Sequence, residues 1–184
     1  MVERPPFWDF TSYLEYELFR DRTLLLNGEV DEDAANNLTL LFQLLANEPT
    51  PITFLIASHG GEVDAGNAII RAMRYAQGKG CQVVAEARGY AMSMACLILQ
   101  AADLRLASAD DLLMVHGVSG ASVGDIRDAE ADLAMTKRLR DIQASFLAAR
   151  NTSDDFKYHD EKYWRGILDD AFPRYLFGSE ALAQ

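Results

Sequence analysis

The sequence predicts an α/β domain with a mainly parallel sheet. Three short runs, Thr23–Leu26, Ile52–Ala57 and Gln82–Ala87, have the length and composition of buried strands. Between them lie longer segments whose apolar residues recur every three to four positions, the spacing of one helix face. Strands and helices that alternate in this way build parallel sheets covered by helices. The 184 residues suffice for one domain with a substantial core and are too few for two. Residues 1–184 are therefore read as a single domain, with 1–12 as a short N-terminal lead.

After two prolines in the lead, Thr11–Arg20 reads as a short helix with Tyr13, Leu14, Tyr16, Leu18 and Phe19 as its apolar members. Asn27-Gly28 is a turn pair and closes the first strand. Asp31 is placed to cap a helix that runs to about Asn47 and stops ahead of Pro49. The second strand ends in Ser58-His59-Gly60-Gly61. A helix follows from about Val63 to Gln77, with Ala65, Ile69, Ala72, Met73 and Ala76 at helical spacing. The third strand meets Gly89, and Ala91–Ala102 is an almost wholly apolar, hence central, helix. Leu104–Ala107 and Leu112–Val115 read as short strands. From about Gly124 to Arg150 runs a long amphipathic helix, with Ile126, Ala129, Leu133, Leu139, Ile142, Phe146 and Ala149 on or near one face. The remainder reads as helical, acidic and aromatic, broken at Pro173.

The net charge of −11 argues against nucleic acid or an anionic membrane as partner, because phosphate contacts need clustered Lys and Arg. No run approaches the roughly 18 apolar residues of a membrane span. Cys81 and Cys96 form no disulfide framework or CxxC pair, and Cys96 lies in an apolar run where a thiol acts as a small hydrophobe. The opening MVERPPFWDF lacks the pattern of a signal peptide. These features predict a soluble protein of a reducing, cytoplasmic compartment.

Two stretches rich in small residues join a strand to a helix, Ser58-His59-Gly60-Gly61 and Gly89-Tyr90-Ala91-Met92-Ser93-Met94-Ala95. A serine at the start of a buried helix sits where unpaired N–H groups converge and the helix dipole favours negative charge. An acyl-transfer nucleophile needs that environment, because its tetrahedral intermediate carries an oxyanion. A Gly-Gly turn can bring a second N–H close. Each piece alone has a plainer meaning. Serine is an ordinary N-cap, Gly-Gly an ordinary turn, and a strand-end histidine such as His116 an ordinary half-buried side chain.

Together and in order, these pieces resemble the caseinolytic (ClpP) serine peptidase family. Arg22-Thr-Leu-Leu-Leu-Asn-Gly-Glu-Val-Asp31 followed by Ala34-Ala-Asn36 is similar to its opening strand and helix. Ser58-His-Gly-Gly61-Glu-Val-Asp-Ala-Gly66 resembles S-P-G-G-x-V-x-A-G, Gly89-Tyr-Ala-Met-Ser93-Met-Ala resembles G-x-A-A-S-M-G, and Met114-Val-His116 resembles M-I-H. The similarity runs from about Tyr13 to Ala183. It implies a ClpP/crotonase-like superhelix of ββα units, with the long helix as a handle between rings. It further implies Ser93 as nucleophile, His116 as base, and the N–H groups of Gly61 and Met94 as oxyanion hole. Neither metal nor organic cofactor is implied. The implied substrate is unfolded polypeptide, and the implied assembly is a stacked pair of heptameric rings, of one subunit type or mixed, served by an AAA+ unfoldase.

The family's orienting aspartate precedes an aromatic-leucine pair, a position that Pro173 occupies here, ahead of Arg174-Tyr175-Leu176 and Ser179-Glu180-Ala181. Asp170, or alternatively Asp169, is the acid expected to reach His116. His59 replaces a proline of the family motif, and the loop 117–124 is shorter than in the family. His159 lies in a charged run, 154–161, that reads as a solvated helix face rather than a metal site. The break at Pro173 keeps a second expectation open, a catalytically impaired (ClpR-like) structural subunit. A crotonase-type acyl-CoA enzyme, which shares the ββα superhelix, stands behind both.

Overall fold

The computed structural model describes residues 10–119, 124–150 and 159–178. Its elements run α1 (Phe10–Arg20), β1 (Thr23–Val30), α2 (Glu32–Leu45), β2 (Ile52–Gly61), α3 (Val63–Gly78), β3 (Val83–Met92) and α4 (Met94–Gln100). They continue with β4 (Leu104–Leu106), β5 (Leu112–Val115), α5 (Ile126–Arg150), α6 (Glu161–Asp169) and β6 (Arg174–Phe177). The six strands form one sheet in the order β1-β2-β3-β5-β6, with β4 also beside β3. All pairs are parallel except β5–β6. The α/β expectation holds.

β4 and β5 share one edge of β3, at residues 84–86 and 90–92 respectively. That division sets the far end of β3 between β5 on this edge and Ser58 of β2 on the other. The core is lined by Leu24 and Leu26 of β1, Phe42 of α2, Phe54 and Ile56 of β2, Ile69 and Met73 of α3, and Ile98 of α4, all fully or nearly buried. Alternation along β2, in which Ile52, Phe54, Ile56 and Ser58 are buried, fits a strand with one face on the core. Asp31 caps α2 as expected, its side chain accepting from Ala34 N–H at 2.8 Å. Arg22 was not singled out in the sequence. Its guanidinium donates to the carbonyls of Leu45, Glu48, Thr50 and Pro51 at 3.0–3.1 Å, satisfying the chain at and after the end of α2.

Several expectations are corrected. β1 does not end at Asn27-Gly28 but passes through it to Val30, with a register shift against β2 between Asn27 and Glu29. Gly28, at φ +115°, absorbs the irregularity without side-chain cost. β2 and β3 likewise extend through the small-residue motifs, which are bulged strand ends rather than loops, with a shift between Ile56 and Ser58. The central helix starts at Met94 rather than Ala91. The segment after Pro173, expected to be helical, is strand β6. Proline removes one N–H and fixes its own φ, and the partner that makes the next residues a strand is the free edge of β5.

α5 departs most from its expected packing. Only Ala144 and Leu147 are buried, while Ile126, Leu133, Met135 and Ile142 are between 54% and 78% exposed. Its C-terminal part packs on α4 and α6, and the N-terminal part stands clear of the domain. The charged run 154–161 and Ser179-Glu180-Ala181 fall largely or wholly outside the described residues. No helix among the described residues is long and apolar enough to cross a membrane.

Candidate active site

Ser93 occupies the junction between β3 and α4 at φ +51°, ψ −124°, a backbone region that side-chain-bearing residues rarely adopt. Four neighbours hold it there. Its N–H donates to the Met114 carbonyl at 2.8 Å, tying the junction to β5. Its own carbonyl accepts from Cys96 N–H at 3.0 Å and Leu97 N–H at 3.3 Å, starting α4. Gly60 lies underneath, and a Cβ there would come within 2.7 Å of both Met92 O and Ser93 Cβ. The Gly60-Gly61 pair is thus required by close approach, not by a turn alone. Gly60 has φ +97°, and the buried Ser58 hydroxyl accepts its N–H at 3.0 Å.

The Ser93 hydroxyl makes no capping bond to α4, which removes the plain N-cap explanation. Instead Oγ lies 2.8 Å from His116 Nε2. The parallel pairing Met92↔Met114 explains the meeting, because both residues leave neighbouring strands at the same level. His116 follows two residues after Met114, where β5 has ended. Gly117 then passes against the carbonyl of Leu168 at the end of α6, an approach that any Cβ would prevent.

A pocket of about 60 Å3 adjoins the pair, and Gly61 and Met94 both line it. Val63, Leu97, Val115, Val118 and Leu168 supply its apolar wall. Gly66 gives Met94 its place, since a side chain at 66 would collide with the Met94 thioether. Cys96, three residues on, is buried among apolar groups. Burial pushes its thiol up to about 12, with a smaller opposing effect from the Met114 backbone, so it stays protonated and unreactive.

The acids expected beside His116 are engaged elsewhere. Asp169 forms an ion pair with Arg140 of α5, and Asp170 accepts from the N–H of Phe172 at 3.2 Å. Among the described residues no hydrogen bond joins either carboxylate to His116. His59, at the rim, stacks on Tyr90 with ring centroids 4.4 Å apart.

Sequence reasoning missed two residues that matter here. Asp111, 5% exposed, accepts from Gly89 N–H at 2.7 Å and Ser108 N–H at 2.6 Å, anchoring the Gly89 bend to the start of β5. In the sequence it is only one of the polar residues between the short strands at 104–107 and 112–115. Gln143, on α5, lines the pocket although it sits in a charged helical sequence. Only the crossing of α5 over the site could reveal it.

A strained serine at a strand–helix junction, hydrogen-bonded to an imidazole beside a small pocket, is the arrangement that nucleophile–base sites of hydrolases share. The comparisons agree with that class. The Clp protease family profile matches residues 10–161, and the chain belongs to this family. It is 30% identical over 171 residues to the ATP-dependent Clp protease proteolytic subunit 3 of Streptomyces avermitilis, covering 85% of this chain and 76% of that protein. It is 37% identical over 135 residues to proteolytic subunit 2 of Nocardia farcinica, covering 69% of this chain and 65% of the relative. Against proteolytic subunit 1 of Corynebacterium jeikeium, identity is 36% over 128 residues, 66% of each protein.

Proposed function

We propose that this chain is a serine endopeptidase subunit of a Clp-type complex that hydrolyses unfolded polypeptide through an acyl-enzyme. The single observation that carries the reading is the 2.8 Å contact between Ser93 Oγ and His116 Nε2. Ser93 Oγ attacks the peptide carbonyl carbon as His116 Nε2 takes its proton. The carbonyl oxygen, now negative, is received by the N–H groups of Gly61 and Met94 at the start of α4. His116 returns the proton to the departing amine, the C–N bond breaks, and an ester to Ser93 remains. Water then attacks that ester with His116 again as base, releasing the carboxylic acid and restoring the serine. The acid role expected of Asp170 is not part of this proposal, because its carboxylate serves the turn at Phe172.

Labelling with a fluorophosphonate probe tests the reading. Modification of the intact protein that disappears in Ser93→Ala supports it, and absence of labelling in the assembled protein sinks it. A second reading, a structural subunit without turnover, is favoured by Pro173 standing where the family carries its aspartate. Unlabelled protein that still assembles with an active relative would establish that role.

The assembly proposed is a stacked pair of heptameric rings fed by an AAA+ unfoldase, in a cytoplasmic compartment. Two observations support it. The relatives are ATP-dependent proteolytic subunits by name. In addition, the N-terminal half of α5 leaves Ile126, Leu133 and Met135 uncovered on the protomer, as expected of a helix completed by another subunit.

A further inference from the structure

Two polar side chains that the proposed chemistry does not use line the pocket beside Ser93, Ser119 and Gln143. Gln143 reaches into it from α5, and its Oε1 is buried with no donor among the described residues. A buried amide oxygen left unpaired is costly, so its presence beside Val63, Leu97 and Leu168 calls for an account. It does not hold the imidazole, because an acceptor for the other ring nitrogen would be hydrogen-bonded to it. Nor is it tied to its own helix.

The geometry points to Gln143 as a specificity-determining residue, selecting a small neutral side chain that carries a hydrogen-bond donor. This rests on the function proposed above, in which the residue bearing the attacked carbonyl places its side chain in this pocket. Size sets the upper limit. About 60 Å3 is less than half of the roughly 150 Å3 that accommodates a benzene ring, so aromatic side chains are excluded unless the wall moves. Charge sets the second limit. Among the described residues no carboxylate lines the pocket, so a lysine or arginine would be desolvated without a counter-ion. An acidic side chain would meet the Gln143 oxygen acceptor to acceptor. Asparagine fits all three conditions: it has leucine's branched shape, and its amide N–H can donate to Oε1 while the carbons face Val63, Leu97 and Leu168.

The test is a binding comparison on the full-length Ser93→Ala protein, so that turnover plays no part. Acetylated tetrapeptides differing only in a C-terminal asparagine or leucine are titrated by calorimetry. The expected result is at least tenfold tighter binding of the asparagine peptide, the order of discrimination produced when one of two isosteres leaves a buried polar group unpaired. Adding Gln143→Leu should reverse the order, and Gln143→Met should do the same if leucine at this position impairs folding. Equal or tighter binding of leucine in the parent overturns the inference, as does binding of neither peptide. Fluorophosphonate labelling of the protein with Ser93 intact reports separately on hydrolysis. Labelling without an asparagine preference sinks the selectivity alone, and a preference without labelling sinks the hydrolase alone.

Discussion

Pro173 and His116 flank the last cross-strand pair of β5 and β6. The strands pair as Leu113↔Leu176, Met114↔Tyr175 and Val115↔Arg174, so His116 is the residue just after the ladder on one chain and Pro173 the residue just before it on the other. Continued antiparallel register would set position 173 beside the imidazole. A pyrrolidine ring there offers neither charge nor acceptor. The ladder thus leads toward the same position at which the family resemblance expects an aspartate.

Pro173→Asp should therefore raise peptidase activity. An orienting carboxylate is worth up to about 10⁴ in turnover where the wrong tautomer otherwise predominates. We expect at least a tenfold rise in kcat/KM on a fluorogenic peptide, carried by kcat. Unchanged kcat would mean that the imidazole is already held by something other than a cross-strand acid.

Asp170→Asn tests the acid named from the sequence. An asparagine Oδ1 can still accept the Phe172 N–H, so kcat should stay within about twofold of the parent if the carboxylate serves only that turn. A loss of a hundredfold or more would return Asp170 to the orienting role. Asp169→Asn, which breaks the ion pair to Arg140, serves as the matched control.

Gly60→Ala should abolish labelling at Ser93 and lower stability by about 1–3 kcal/mol. Alanine at φ +97° is strained, and its methyl would press on Met92 O and Ser93 Cβ, displacing the nucleophile. Urea unfolding and probe labelling measured together check both effects. Full labelling would show that the junction tolerates movement.

Asp111→Ala leaves the N–H groups of Gly89 and Ser108 without their part-buried acceptor. The expected loss is about 1–2 kcal/mol, read from the urea midpoint. A loss under about 0.5 kcal/mol would mean that water replaces the carboxylate freely.

Cys96 gives a pH-dependent prediction. Its thiol lies at about 12 in the folded chain against 9.0 ordinarily, so above pH 9 the unfolded chain binds fewer protons than the folded one. Stability contributed by this group is complete below pH 9 and falls as pH rises toward 12. Comparison with Cys96→Ala isolates it from other alkaline titrations: the parent should lose more stability between pH 8 and 10 than the variant. Parallel profiles would show that the thiol is more accessible than its burial implies.

The strands, the helices and the Ser93–His116 pair were legible along the chain because each is announced locally. Buried strands are short apolar runs, α2 carries its cap at Asp31, and the small-residue motifs flank the nucleophile in a fixed order. The end of the chain was misread for a physical reason. Arg174–Phe177 has no strand pattern of its own, and it becomes β6 only because β5 presents an open edge.

What the sequence determined by itself is therefore the set of parts: an α/β scaffold, a serine with an imidazole to meet it, and no acid at the usual position. What only the tertiary structure decided is how distant segments fill the space around them. Asp169 was drawn to Arg140, Gln143 was carried into the pocket by the crossing of α5, and Arg174–Phe177 was made a strand by the edge of β5. These outcomes depend on contacts between residues tens of positions apart, and local propensity holds no record of such distances.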